Sequence, residues 1–139
     1  WVAQAVAGGA TLLEGGRREG ALFYPTVLTR VAGDMRVVCE EIFAPVLSII
    51  PFTSFDDAID AANATPFGLA AGVFTNDLTR AHRAARRLHF GVVHLNESSS
   101  SRVDLIPFAG VKQSGMGREG PRYAMQEMTE ERLVTISLS

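Results

Sequence analysis

Residues 46–95 read VLSIIPFTSFDDAIDAANATPFGLAAGVFTNDLTRAHRAARRLHFGVVHL, and the alternation of periods within them decides the fold class. Val46 to Phe52 is a nearly continuous apolar run, the pattern of a strand buried on both faces in a parallel sheet covered by helices. Ser54 and Asp57 then form an S-x-x-D capping box. Phe55, Ala58, Ile59 and Ala62 follow at helical spacing, which predicts a helix to Asn63, ended by Pro66 and Gly68. Ala70 to Phe74 reads as a short strand. Asn76 or Asp77 caps a second helix with Leu78, Ala81, Ala85 and Leu88 on its inner face, and Gly91 precedes a strand from Val92 to Leu95. Strand, helix, strand, helix, strand in this order predicts an α/β fold: a mostly parallel sheet covered by helices, with right-handed crossovers.

Upstream, Trp1 to Val6 reads as the last turns of a helix stopped by Gly8-Gly9, so the chain is expected to be a piece of a longer protein. Ala10 to Leu13 is a short apolar run, and β-branched Thr26 to Val31, after Pro25, reads as a strand. Downstream, Asn96 to Gly120 is a loop rich in Ser and Gly. Pro121 opens a third helix through Met128, and Arg132 to Leu138 alternates as a final strand.

A length of 139 residues suits one modest domain. With 47% hydrophobic and only 20% charged residues, it is expected to keep some apolar surface for another domain or subunit. A net charge of −2 gives no basis for binding nucleic acid or an anionic membrane. Arg83, Arg86 and Arg87 read as the solvated face of a helix. No apolar run approaches the ~20 residues of a membrane span, and no signal peptide is visible. The one cysteine, Cys39, excludes an internal disulfide and suits a cytoplasmic location.

Four groups of residues invite a chemical interpretation. Gly115-Met116-Gly117-Arg118-Glu119-Gly120 fits G-x-G-x-x-G. A dinucleotide loop, however, needs a buried strand just before it and an acidic residue some ~20 positions on, and the segment offers neither. A tight turn before a helix accounts for these glycines. Cys39 stands beside two acids, Glu40 and Glu41, an unfavourable setting for a thiolate, so a structural thiol is expected. His82, His89 and His94 show no metal spacing with one another or with Cys39. Glu40-Glu41-Ile42-Phe43-Ala44-Pro45 sets two carboxylates beside a Phe in a loop. A carboxylate can accept both vicinal hydroxyls of a ribose, and an aromatic ring can pack on a flat heterocycle. An ordinary charged pair with Phe43 in the core fits the same residues.

Taken together, the longer motifs resemble the aldehyde dehydrogenase superfamily. Glu40 to Val46 is similar to E-E-I-F-G-P-V, Asn63 to Ala70 to N-x-T/S-x-[YF]-G-L-[AS], and Pro107 to Gly120 to P-F-G-G-x-K-x-S-G-x-G-R-E-G, all in order. The resemblance implies the C-terminal half of the catalytic domain over residues 1–131 and a C-terminal oligomerisation strand over 132–139. It implies a reaction in which a Cys thiolate attacks an aldehyde, hydride passes to NAD or NADP, and water releases the acid. Glu41 matches the glutamate holding the nicotinamide ribose, Phe43 the aromatic near the nicotinamide, and Phe108 an aromatic of the aldehyde pocket. The family's nucleophile, general base and most of its dinucleotide-binding part match nothing here. No catalytic residue and no metal ligand is therefore assigned, and the chain alone is expected to be inactive. Expected partners are a small-molecule aldehyde, the N-terminal dinucleotide-binding part and further copies in a homo-oligomer. Ala44 and Ala109 replace usual glycines, where φ > 0 or close backbone approach would disfavour a Cβ.

The stretch Asn96 to Asp104 resembles members acting on small polar aldehydes such as lactaldehyde, phosphonoacetaldehyde or glyceraldehyde 3-phosphate. Arg102 is the substrate-binding candidate: its guanidinium can fork onto a carboxylate, phosphonate or phosphate, and it can equally pair with Asp104 at the surface. Two alternatives to part of an enzyme are a non-catalytic scaffold or oligomerisation module, and a free-standing nucleotide-binding domain resting on the glycine loop alone.

Overall fold

In the computed structural model, which describes residues 1–138, the chain divides into two units, Trp1–Ala58 and one beginning at Ile59, the division falling inside a helix. The first unit opens with helix α1 (Val2–Ala7), followed by strands β1 (Thr11–Glu14), β2 (Arg18–Glu19), β3 (Leu22–Phe23) and β4 (Thr26–Thr29). Helix α2 (Arg36–Cys39), strand β5 (Val46–Ile49) and the start of α3 (Phe55–Asn63) complete it. β4 is the central strand of a three-stranded sheet, antiparallel to β1 and parallel to β5. Its β-branched residues suit a pleated surface, and Leu28 is fully buried among Ala5, Ala10 and Val37. The strand stops at Thr29, short of the predicted Val31, because Arg30 adopts φ 53° and turns the chain out of the ladder. Thr26 is buried with its hydroxyl satisfied twice: Oγ1 donates to Tyr24 O and accepts from Gly16 N, each at 2.8 Å.

β5 departs from its expected burial. Val46 and Ser48 face inward, whereas Leu47 and Ile49 are exposed, as are Ile50 and Phe52 beyond the strand. β5 is an edge of its sheet, and within this chain only one of its faces is covered. Ser54 caps α3 as predicted, its Oγ accepting from Asp57 N at 3.4 Å.

In the second unit, β6 (Phe67–Gly68) and β7 (Ala70–Val73) follow α3, then α4 (Leu78–Arg87), β8 (Val92–Leu95), β9 (Val111–Lys112) and α5 (Pro121–Glu127). β7 and β8 pair in parallel around α4, a βαβ crossover, while β6 and β9 pair antiparallel. The α/β class holds, with parallel pairs β4–β5 and β7–β8. A single sheet through β5, β7 and β8 does not form among the described residues: β5 and β7 belong to separate sheets. Periodicity reveals that a segment is a strand but not which strand it pairs with.

Asp77 rather than Asn76 caps α4, its Oδ1 accepting from Arg80 N at 3.1 Å. The buried stripe is Ala81, Ala84 and Leu88; the expected Leu78 and Ala85 are exposed, Leu78 at 73%. Pro121 takes the first turn of α5 as expected. Arg132 to Leu138 joins no ladder among the described residues, and Leu133, Val134, Ile136 and Leu138 are exposed. Ser139, the last residue of that segment, lies outside the described residues.

Candidate functional site

The residues named from the sequence gather in two places, one in each unit. In the first, the loop leaving α2 is drawn tight by successive short bonds. Glu40 N donates to Arg36 O at 3.1 Å, Ala44 N to Ile42 O at 2.9 Å and Val46 N to Ala44 O at 2.8 Å. Thr26 N donates to Pro45 O at 2.8 Å, anchoring the loop to β4. Ala44 is not among the residues at positive φ, so its Cβ meets no conformational penalty there.

So held, Glu41 and Phe43 line a common cleft of about 570 Å³ with Trp1, Val2, Phe23 and Ile42. Phe43 is 91% exposed, so the core placement open from sequence does not occur. Among the described residues no hydrogen bond or ion pair engages the Glu41 carboxylate, whereas its neighbour is fully engaged. Arg36 Nε donates to Glu40 Oε1 at 2.7 Å and Nη2 to Oε2 at 3.3 Å. That bonding, with the charge of Arg36, holds the Glu40 carboxyl below the usual carboxylate range. A half-open cleft with an available carboxylate acceptor and an exposed aromatic face fits a ribose joined to a flat heterocycle. Trp1, Val2 and Phe23 were not anticipated; they come from the start of α1, Trp1 capping it, and from β3, and no local sequence signal ties them to the loop.

In the second unit Arg102 and Phe108 come together. The Arg102 Cζ lies 4.7 Å from the centroid of the Phe108 ring. Its Nη2 donates to Glu119 Oε2 at 2.8 Å, and Nε lies 3.8 Å from Asp104 Oδ1. Glu119 in turn pairs by backbone with Phe108, at 3.1 and 2.7 Å. A cavity of about 800 Å³ opens beside Arg102, Asp104, Glu119 and the start of α5. The Asp104 pairing weighed from sequence is present, but Glu119 is the closer partner.

Other motif residues act on the fold. Asn63 Nδ2 donates to Arg87 O and its Oδ1 accepts from His89 N, both at 2.8 Å, so it joins the end of α3 to the end of α4. Lys112, at φ 56°, directs its ammonium to the carbonyls of Asn63, Thr65 and Phe67 at 3.0–3.2 Å, where a helix C-terminus favours a cation. Ser114 Oγ accepts from Gly68 N at 2.9 Å. Gly115, Gly117 and Gly120 all have positive φ, and the loop closes on a carboxylate of its own, Arg118 N donating to Glu127 Oε1 at 3.1 Å. It is the tight turn expected of it. Cys39 is partly buried and its Sγ donates to Asp34 O at 3.5 Å. Among the described residues no group of three or more His, Cys, Asp or Glu could hold a metal ion, and no helix is long and apolar enough to cross a membrane.

Against this geometry the comparisons agree with one another. The profile of the aldehyde dehydrogenase family matches residues 1–134. The 3-sulfolactaldehyde dehydrogenase of Priestia aryabhattai is 46% identical over 99% of this chain and 29% of its own length. Aldehyde dehydrogenase 21 of Physcomitrella patens, solved with the reaction product succinate, superposes with a TM-score of 0.91 at 44% identity, over 94% of this chain and 27% of its own. The glyceraldehyde-3-phosphate dehydrogenase of Methanocaldococcus jannaschii, complexed with NADP, gives 0.84 at 47% identity, over 91% and 28%. The chain thus spans well under a third of the length of these relatives.

Proposed function

We propose, because the chain belongs to the aldehyde dehydrogenase family, that it supplies the nicotinamide-ribose contacts and part of the aldehyde pocket of an NAD(P)-dependent oxidation of a small anionic aldehyde to its acid. The observation that carries this is the shared cleft of Glu41 and Phe43, with one carboxylate available and one aromatic face open. Glu41 would accept the ribose hydroxyls and Phe43 would pack on the nicotinamide. The cofactor, when bound, supplies the hydride acceptor; the chain's own part is to orient it, and orientation accounts for a large share of many enzymatic rate enhancements. In the complete polypeptide, Glu41→Gln is expected to cost roughly 1–3 kcal/mol, about 5- to 150-fold in kcat/KM for the cofactor. Steady-state kinetics with varied NAD+ and NADP+ check this, and unchanged parameters with both would remove Glu41 from the cofactor site.

The anionic preference rests on Arg102. The named relatives concern a sulfonated aldehyde, succinate and a phosphate ester, each carrying an anion a guanidinium can fork onto. Glu119 and Asp104 hold Arg102 at present, but pairs this exposed contribute only ~0–1 kcal/mol, so a substrate anion displaces Glu119 at small cost. Phe108, under the guanidinium, would then line the apolar side of the pocket. Arg102→Ala is expected to lower kcat/KM about tenfold or more for anionic aldehydes relative to neutral ones of like size, charge-assisted bonds being worth about 1.5–3 kcal/mol. Equal loss for both classes would leave Arg102 as a fastener of Phe108 alone.

Residues 132–139 are proposed as a strand that adds to a further copy in a homo-oligomer, consistent with the exposed, alternating Val134, Ile136 and Leu138. The chain is expected to self-associate in light scattering, and to lose that tendency when truncated after Glu131. A clean monomer at high concentration with the segment present would count against it. A free thiol at Cys39 suits a cytoplasmic setting.

A further inference from the structure

Arg36 is absent from every motif discussed so far, yet it touches one lining residue of the Glu41–Phe43 cleft and the residue that precedes Glu41. Its guanidinium lies over the ring of Trp1, Cζ 4.0 Å from the centroid, and Trp1 lines the cleft. Its edge forks onto both oxygens of Glu40, four residues on across α2, and Glu40 precedes Glu41 directly. One side chain therefore spans from Trp1, at the start of α1, to the residue that precedes Glu41. It also resolves an ambiguity in the loop. Two adjacent carboxylates could compete for the same hydroxyl donors and repel each other; Arg36 engages Glu40 completely and leaves Glu41 available.

We propose that Arg36 is a positioning residue for the cofactor, selecting Glu41 over Glu40 as the ribose acceptor and fixing the spacing between Trp1 and the 41–43 loop. This rests on the cofactor role proposed for Glu41. Arg36 touches no reacting atom, so it acts on cofactor binding and not on the chemical step. The geometry needs a planar fork and a stacking face at once, which arginine has and lysine lacks.

The experiment uses the complete polypeptide with Arg36→Met, Arg36→Lys, Glu40→Gln, the Arg36→Met/Glu40→Gln double variant and Glu41→Gln. For a half-exposed bidentate pair, Arg36→Met is expected to raise the cofactor KM about 3–5-fold with kcat held within about twofold. Arg36→Lys should recover less than half of that change. Glu40→Gln should have an effect similar to that of Arg36→Met, and the double variant should add little, because both remove one interaction. In the 139-residue chain, whose one tryptophan is Trp1, Arg36→Met should shift the emission. An unchanged KM in Arg36→Met beside a raised KM in Glu41→Gln overturns this inference alone. No effect in Glu41→Gln overturns the cofactor role and this inference with it. A parallel loss of kcat with a lowered unfolding midpoint makes Arg36 a structural residue and also overturns it, as does full rescue by Arg36→Lys.

Discussion

Purified on its own, the 139-residue chain is expected to leave NAD+ and NADP+ unreduced with every aldehyde offered. Its sole thiol is poorly placed for nucleophilic attack. Cys39 Sγ donates to the Asp34 carbonyl at 3.5 Å, touches no base among the described residues, and is absent from the lining of the Glu41–Phe43 cleft. A thiol becomes a nucleophile when a cation or base beside it stabilises the thiolate, and the residues following Cys39 are two acids. The nucleophile and general base implied by the family match no residue of this chain, which spans 29% of its sulfolactaldehyde-oxidising relative. The assay is NAD(P)H absorbance with a panel of aldehydes, run to the detection limit. Turnover that vanishes in Cys39→Ser would reverse the conclusion and make Cys39 catalytic.

The second large effect belongs to a residue without a side chain. At Gly91, between α4 and β8, a Cβ would fall 1.6 Å from Ala109 O and 2.6 Å from Ala109 C. Its φ is ordinary, so the requirement is for space. The clash is with backbone, which cannot rotate away, and the backbone concerned adjoins Phe108. Gly91→Ala is therefore expected to destabilise the chain by about 3 kcal/mol, the upper range for overpacking, and to displace Phe108 from Arg102. Gly33→Ala, whose Cβ would meet nothing within 4 Å at an ordinary φ, serves as the control and should stay within about 0.5 kcal/mol. Urea unfolding of both variants decides the matter; coincident midpoints would show that the 109–110 segment yields easily. The same observation bears on Ala109, which stands where the resembled motif has glycine: its own φ is not positive, and the crowding falls on Gly91 and Gly110.

What could be read in the sequence follows from how local its cause is. α3, α4 and β8 were legible because capping and periodicity act over a few residues. β6 and β9 were not: each has two residues, and each exists only because Phe67 meets Lys112 across 45 positions. The buried stripe of α4 was misjudged at Leu78 and Ala85 because both lie at one flank of the Ala81–Ala84–Leu88 stripe, where periodicity alone does not separate covered from exposed positions. At the sites, Glu41 and Phe43 stayed ambiguous on chemistry alone, and it was the longer motifs that pointed to a cofactor role for them. Pairing of Arg102 with Asp104 was foreseeable from their spacing, whereas Glu119, 17 residues away, had no local signal. Arg36 and Glu40 did have one, the i,i+4 spacing of opposite charges on a helix.

Lys112 is the only lysine in the chain, and its nitrogen is held by three carbonyls at the end of α3. Amine-directed reagents therefore find one side-chain amine in this chain, an ε-amino group whose attack waits on release of the 63–67 turn. Acylation at Lys112 thus becomes a clock for that release, slow while the turn is closed and fast when it opens. Once acylated, the nitrogen loses its charge, and the turn loses the cation that held its carbonyls together.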